Sequence, residues 1–213
     1  PMLAQLAEKP FTSKGWIFEI KWDGIRAISY VDEELSIRSR NNKELRHNFP
    51  ELEELTELAN DVVLDGEIIV MKDGIVDFQS LLERSRATSA YSVEYMAQNL
   101  PATYVVFDIL ERDHQPVTHL RLVDRKRILK ERLNEGKHVV LSRYIEEEGE
   151  SYYQVAIKKG LEGILAKEKD SPYEPGVRSD KWLKIKKTRS CDCVVFGFTK
   201  GKGNRRETFG ALI

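Results

Sequence analysis

The sequence predicts an α+β fold in which antiparallel sheets carry helices on their flanks. Three observations lead there. Short alternating or β-branched runs recur along the whole chain. Turn signals, Asp23-Gly24 and Lys72-Asp73-Gly74 among them, separate several of these runs at hairpin distance. Segments with helical spacing are interspersed among the strand-like ones.

Taken in order, 16–22 (WIFEIKW) alternates polar and apolar residues and predicts a strand. Asp23-Gly24 turns the chain, 25–31 gives a second strand, and 35–39 extends the pair into a meander. Leu52, Leu55 and Leu58 predict a helix over 49–60, with Pro50 near its start. Residues 62–71 form a strand-like run interrupted by Asp65-Gly66-Glu67, and 78–86 predict a short helix. The β-branched and aromatic run 102–110 (ATYVVFDIL) predicts a buried strand. A charged amphipathic helix over 122–133, a short strand over 139–142 and a helix over 151–159 follow, with Gly160 as C-cap. Strands are expected over 163–167, 181–187 and 193–199, then a turn at Gly201-Lys202-Gly203-Asn204 and a last strand-like run, 209–213.

A chain of 213 residues is one large domain, or one domain and part of a second. It is long enough to bury a core without staples, and recurring apolar runs exclude disorder. No run of about 18 apolar residues predicts a membrane span. No basic start followed by an apolar stretch suggests a secretory signal. Cys191 and Cys193 suit neither a disulfide framework nor a zinc site, so a reducing, intracellular compartment is expected. The four histidines (His47, His114, His119, His138) show no ligand spacing. The net charge of −1 lacks the basic signature of a nucleic-acid binder, but the charges are uneven. Residues 158–213 carry fourteen Lys/Arg against seven Asp/Glu, whereas 51–67 hold seven acids and no base.

The chemistry centres on Glu19-Ile20-Lys21-Trp22-Asp23-Gly24-Ile25-Arg26. In a strand, Glu19, Lys21 and Asp23 point to one face. The plain reading is a solvated face. The sharper one is a nucleophilic lysine at the mouth of a β-pocket, whose amine attacks only when neutral and is moved toward that form by neighbouring positive charge or desolvation.

Glu19-x-Lys21-x-Asp23-Gly24-x-Arg26 resembles motif I of the covalent nucleotidyltransferases: ATP-dependent DNA ligases, RNA ligases and mRNA capping enzymes. The rest of the set follows in order. Ser39-Arg40-Asn41 resembles motif Ia, Leu64-Asp65-Gly66-Glu67 motif III, and Val106-Phe107-Asp108 motif IIIa. Glu162-Gly163-Ile164-Leu165-Ala166-Lys167 resembles motif IV, and Trp182-Leu183-Lys184-Ile185-Lys186 motif V. Within that superfamily, Pro1-Met2-Leu3-Ala4, Gly15-Trp16-Ile17-Phe18 and Lys169-Asp170-Ser171-Pro172-Tyr173 are most similar to the ligase domains of prokaryotic end-joining systems. The resemblance implies an ATP-grasp-like nucleotidyltransferase (adenylation) domain over 1–189, followed over 190–213 by the incomplete start of an OB-fold. Ser190 lies near the expected hinge. The family's motif VI and its preceding helical DNA-binding domain are not among these residues, so weak or absent nick sealing is expected of them.

The resemblance also implies roles. Lys21 attacks the α-phosphate of ATP and carries AMP as a phosphoramidate. AMP then passes to a DNA 5′-phosphate, and the 3′-hydroxyl displaces it to seal the strand. Glu19 would meet the adenine edge, and Arg26 and Arg40 ribose or phosphates. Glu67 would bind the ribose hydroxyls or a metal, and Phe107 would stack on adenine; a buried salt bridge and core packing are the plain alternatives. Glu162 would hold magnesium or manganese. Lys184 and Lys186 share a face, which asks for an anion between them such as the α-phosphate. Arg178 is a further phosphate candidate, and Lys167 is a candidate to join the cluster. Lys187, Arg189, Lys200, Lys202, Arg205 and Arg206 would contact the DNA backbone or form a solvated basic surface. Implied partners are nicked or broken double-stranded DNA, the rest of the OB-fold domain and end-joining repair proteins, in the cytoplasm of a prokaryote, with no membrane. The alternatives are an RNA ligase or GTP-using capping enzyme, and a nucleotide- or DNA-binding module without activity.

Overall fold

The computed structural model describes residues 1–187 and 193–213. Arg189, Ser190 and Cys191, and with them the expected hinge and domain boundary, lie outside the described residues.

Elements run in the order β1 (Leu3–Leu6), β2 (Ser13–Ile20), β3 (Ile25–Val31), β4 (Leu35–Ser39), α1 (Leu55–Leu58), β5 (Val62–Lys72), β6 (Ile75–Val76), α2 (Phe78–Arg86), α3 (Ala90–Asn99) and β7 (Ala102–Arg112). Then come β8 (Gln115–Pro116), α4 (Leu122–Arg132), β9 (Val139–Leu141), β10 (Tyr144–Glu147), α5 (Gly149–Lys158), β11 (Gly163–Glu168), β12 (Arg178–Lys186), β13 (Phe198–Lys200) and β14 (Phe209–Leu212).

Two larger sheets carry the fold. The first has the order β1-β12-β11-β2-β10, the second β4-β3-β5-β7-β8 with β6 and β9 attached to β5 and β7. Most pairings are antiparallel as expected, but β1–β12 and β7–β9 are parallel, so both sheets are mixed. β13 and β14 form a separate hairpin, with Phe198 opposite Leu212 and Lys200 opposite Phe209.

Each sheet has one face against helices and one facing the other sheet. On the second sheet Ala27, Val31, Leu64, Ile68, Tyr104 and Val106 pack onto Leu52, Leu55, Ile128 and Leu129, which makes the main core. On the first sheet Phe18, Ile164, Ala166 and Ile185 pack against Ala156 of α5. A smaller cluster of Met2, Phe107, Tyr173 and Trp182 lies where the sheets meet. Side chains alternate along a strand, so the residues between these core positions point into the space between the sheets.

Several elements differ from the sequence reading. The segment 49–60 is not one helix. Pro50–Glu54 winds as a 3₁₀ turn with Pro50 at its start and passes into the single turn of α1. Strand β2 ends at Ile20, so Lys21 and Asp23 lie beyond it. β5 is continuous through Asp65-Gly66-Glu67 and absorbs the irregularity as a register shift against β7 between Asp65 and Gly66. Helix α3 was not expected. None of its residues is fully buried, but Val93, Met96, Ala97 and Leu100 recur at helical spacing and are half-buried, and Ser89 caps its start on Ser92 N, signals the sequence reading overlooked. β13 is confined to Phe198–Lys200, and Cys193 precedes it, exposed and outside any strand.

Candidate active site

The first sheet presents its charged residues to the cleft in rows set by register. Ile17 pairs with Lys167 and Lys167 with Trp182; Glu19 pairs with Leu165 and Leu165 with Lys184. In the next row Lys21 N donates to Gly163 O at 3.0 Å, and Gly163 pairs with Lys186. The second sheet answers with Arg26 opposite Glu67, Glu67 opposite Val105, and Asp65 two residues along the same face.

Lys21 therefore sits at the point where the chain leaves the first sheet and enters the second. Gly24 completes that crossover. A Cβ there would lie 2.2 Å from Ile68 O and 2.8 Å from Glu67 Cγ, so only glycine lets the two sheets approach. Gly163 is constrained as well, with φ at +156° and space for a Cβ only 2.0 Å from Ile185 O. It thus holds Glu162 and the start of β11 against β12.

Lys21 Nζ donates to Glu162 Oε2, and both side chains keep some exposure, 21% and 31%. They share a cavity of about 480 Å³ with Asp23, the Gly74–Val76 turn, Lys159, Lys186 and Lys187. Lys184 is adjacent. Partial burial and the charges of Arg178, Lys186 and Lys21 pull its ammonium below the usual lysine range, with Glu162 opposing. Crowded cations of this kind call for an anion.

Glu67 is partly buried, and that burial pushes its carboxyl up to about 7 although Arg26, Lys21 and the Gly24 N–H favour the charged form. It faces the same lysine as Glu162, from the opposite sheet. Glu67 and Glu162 face Lys21 with carboxylate oxygens, donors of the kind that suit a hard divalent cation. Among the described residues, the acid–histidine cluster tight enough to share one ion is elsewhere, at Asp32, Asp61 and His114. There His114 stands exposed, 3.8 Å from each aspartate, a grouping its sequence spacing did not reveal.

Glu19 is not a surface carboxylate. It is 1% exposed, receives Lys167 Nζ at 3.0 Å and Ser142 Oγ at 3.2 Å on Oε2, and is met by Lys126 Nζ on Oε1. Burial alone would raise its pKa, but Lys126 and Lys167 more than reverse this and hold it below the usual range. Lys167 consequently does not join Lys184 and Lys186. Burial lowers Lys167 to about 8 despite the Glu19 carboxylate, and its Nζ lies 4.3 Å from the Phe107 ring centroid and 4.2 Å from that of Trp182.

Arg26 is engaged with Asp65 through Nε (2.5 Å) and Nη2 (2.6 Å), and its Cζ lies 4.5 Å from the Phe107 centroid. Burial opposes the charge on Arg26, but Asp65 raises its pKa well above the ordinary arginine value. Phe107 is 4% exposed, so between Arg26, Lys167 and Trp182 it presents little free face in this structure. Trp182 Nε1 is buried with no acceptor among the described residues. Arg40 is exposed just after β4. Arg178 is exposed too, with Nη1 donating to Ala4 O at 2.7 Å. Lys187 lines the Lys21 cavity, whereas Lys200, Lys202, Arg205 and Arg206 are exposed on or beside the β13–β14 hairpin.

Sequence reasoning missed Lys126, and it gave Asp65, Tyr173 and Trp182 no role of their own. Tyr173 Oη donates to Asp65 Oδ2 at 2.6 Å and accepts from Met2 N at 2.9 Å. The signal for Asp65 was present, because an aspartate between Leu64 and Gly66 in a buried strand needs a cation.

Comparison with known proteins bears on the family of the chain. The sequence model of the ATP dependent DNA ligase domain matches residues 1–186. The chain is 34% identical over 202 residues to the SPbeta prophage-derived DNA ligase-like protein LigB of Bacillus subtilis, covering 94% of this chain and 72% of that protein. It is 35% identical to the multifunctional non-homologous end joining protein LigD of Mycolicibacterium smegmatis, across all of this chain but 27% of the relative. Among solved structures, the ligase domain of M. tuberculosis LigD superposes with a TM-score of 0.70 at 28% identity, over 87% of this chain and 60% of that one. The chain thus spans only part of most of these proteins. Its Lys21 crossover, its paired sheets and its match over 1–186 place one conclusion beyond the fold alone: the chain belongs to the ATP-dependent DNA ligase domain family.

Proposed function

We propose that this chain forms the lysyl-AMP intermediate of DNA ligation at Lys21. The observation that carries the reading is the position of Lys21 at the crossover between the sheets, beside Glu162 and within the field of Lys184, Lys186 and Arg178. A nucleophilic amine in a cavity that Lys159, Lys186 and Lys187 also line, with Lys184 electrostatically coupled to that amine, matches a nucleoside triphosphate bound by its phosphates.

In this reading Lys21 Nζ passes a proton to the Glu162 carboxylate it donates to, and attacks the α-phosphorus of ATP. A P–N bond forms, the bond to the bridging oxygen breaks, and pyrophosphate leaves. Lys184 and Lys186 take the α-phosphate oxygens and the charge that grows on them, with Arg178 and Arg40 further out. Glu19 accepts from the base edge. Arg26, bound to Asp65, shapes the pocket and reaches the ribose only by its remaining N–H groups. Phe107 stacks on the base once Lys167 or Arg26 yields part of its ring. Glu67 and Glu162 would hold Mg²⁺ or Mn²⁺, which when bound neutralises phosphate charge. AMP then passes to the 5′-phosphate of broken or nicked DNA, whose backbone meets Lys187 and the basic residues of 200–206. The residues after 190 would belong to an OB-fold, and the protein would work on cytoplasmic DNA with end-joining partners.

Incubation with ATP and Mg²⁺ followed by intact-mass measurement tests the reading. An AMP adduct on the wild-type chain that peptide mapping places at Lys21, and that Lys21→Ala abolishes, is the expected result. An adduct on another lysine, or ready use of GTP in place of ATP, contradicts it.

A further inference from the structure

The Glu19 carboxylate is gripped by groups from separate parts of the fold. Ser142, just after β9, and Lys167, on β11, both bind Oε2, at 3.2 and 3.0 Å. Lys126, one turn into α4, binds Oε1. Each carboxylate oxygen has about two acceptor positions. Oε2 has both filled, whereas Oε1 has Lys126 alone among the described residues, so one acceptor position of this buried carboxylate is unmatched by them.

Lys126 is 7% exposed, and its Nζ lies 5.4 Å from the Tyr144 ring centroid. Lys126, Ser142 and Tyr144 also line a cavity of about 340 Å³ against α4, so that cavity reaches the groups that bind Glu19. Among the described residues, this buried ammonium, which contributes neither to the main core nor to the phosphate cluster, has one hydrogen bond, and that contact fixes the oxygen with spare acceptor capacity.

We propose that Lys126 is a positioning residue that sets which purine the site accepts. By holding Glu19 ionised and Oε1 in place, it makes the carboxylate an acceptor only. Such a group welcomes a purine with an amino group at its 6-position and opposes one with a carbonyl there, because two acceptors then face each other without a proton between them. Without Lys126, all the remaining contacts of Glu19 gather on Oε2 and the discriminating oxygen is untethered. The inference rests on the nucleotide-binding reading of the cleft.

The test is equilibrium binding of ATP and of inosine triphosphate, which carries a carbonyl where ATP carries the amine, each with Mg²⁺. It uses the wild-type chain, Lys126→Met and Lys126→Arg, with circular dichroism to establish folding and Lys126→Gln replacing the Met variant if that one unfolds. The wild type is expected to prefer ATP by about tenfold or more. Lys126→Met should weaken ATP by about tenfold while leaving inosine triphosphate within about twofold, and Lys126→Arg should restore most of the preference. Equal weakening of both nucleotides, or an unchanged ratio, overturns the inference and leaves the nucleotide reading standing. Equal affinity of the wild type for both does the same. Failure of the wild type to bind either nucleotide overturns both.

Discussion

Arg26 and Asp65 form a two-point ion pair from β3 to β5, and the same carboxylate receives Tyr173 Oη. Asp65 is fully buried, so this pair ties the second sheet to the β11–β12 connection and, through Met2 N on Tyr173, to the start of the chain. Arg26→Ala would leave a carboxylate buried with a phenol alone. A loss of about 3 kcal/mol is expected, against about 1 kcal/mol for Tyr173→Phe; urea titration checks both. Equal, negligible losses would show that the pair is not structural.

Glu67 predicts a pH dependence. Its carboxyl sits near 7 in the fold against 4.5 in an unfolded chain. Between those values the folded state keeps a proton that the unfolded chain releases, so this residue makes stability fall as pH rises through that window, and the penalty is complete above it. Glu67→Gln should therefore stabilise the protein at pH 8 by about 2 kcal/mol, discounted for partial exposure, and raise Tm by about 5 °C. The gain should fade at pH 4. A variant that melts lower at pH 8 would contradict this.

Glu162 holds the ammonium of Lys21. Glu162→Gln keeps the shape and removes the charge. Single-turnover adenylation should slow about a hundredfold, with the ATP dissociation constant changed by less than about threefold. An unchanged rate would remove Glu162 from the reaction.

Lys184 and Lys186 should act on phosphates and not on the base. Substituting both with alanine should weaken ATP by about a hundredfold while leaving adenosine unaffected. Titration of both ligands against the same protein separates the two. Parallel losses would mean that the lysines support the fold instead.

Much of the site was legible because its logic is local. Lys21 with Gly24, Lys184 with Lys186, and Glu162 with Gly163 each act within a few residues, and the two-residue period of β12 puts both lysines on one face. What could not be read was tertiary. α4 was read as a charged amphipathic helix, and within its run of basic residues Arg125 and Lys126 are buried. Arg125 clamps Asp108 at 2.8 and 2.9 Å, and Lys126 reaches Glu19. Their spacing from Leu122 and Leu129 does put those two, and not Arg127 or Lys130, on the apolar face, but it does not name the carboxylates they meet. In ATYVVFDIL, likewise, alternation puts Tyr104 and Phe107 on opposite faces, but composition cannot say that Tyr104's face is the main core and Phe107's the cleft. Arg26 shows the converse, since its motif suggested a ligand and its nearest partner proved to be Asp65.

The crossover at 21–24 has a mechanical corollary. The nucleophile lies just past the end of β2: its own N–H is tethered to Gly163 O of the first sheet, and three residues on Gly24 packs against Ile68 O of the second. Any shear or opening of the layers must consequently swing Lys21 with it, so the spacing of the whole sandwich acts as the gauge that sets the amine's reach.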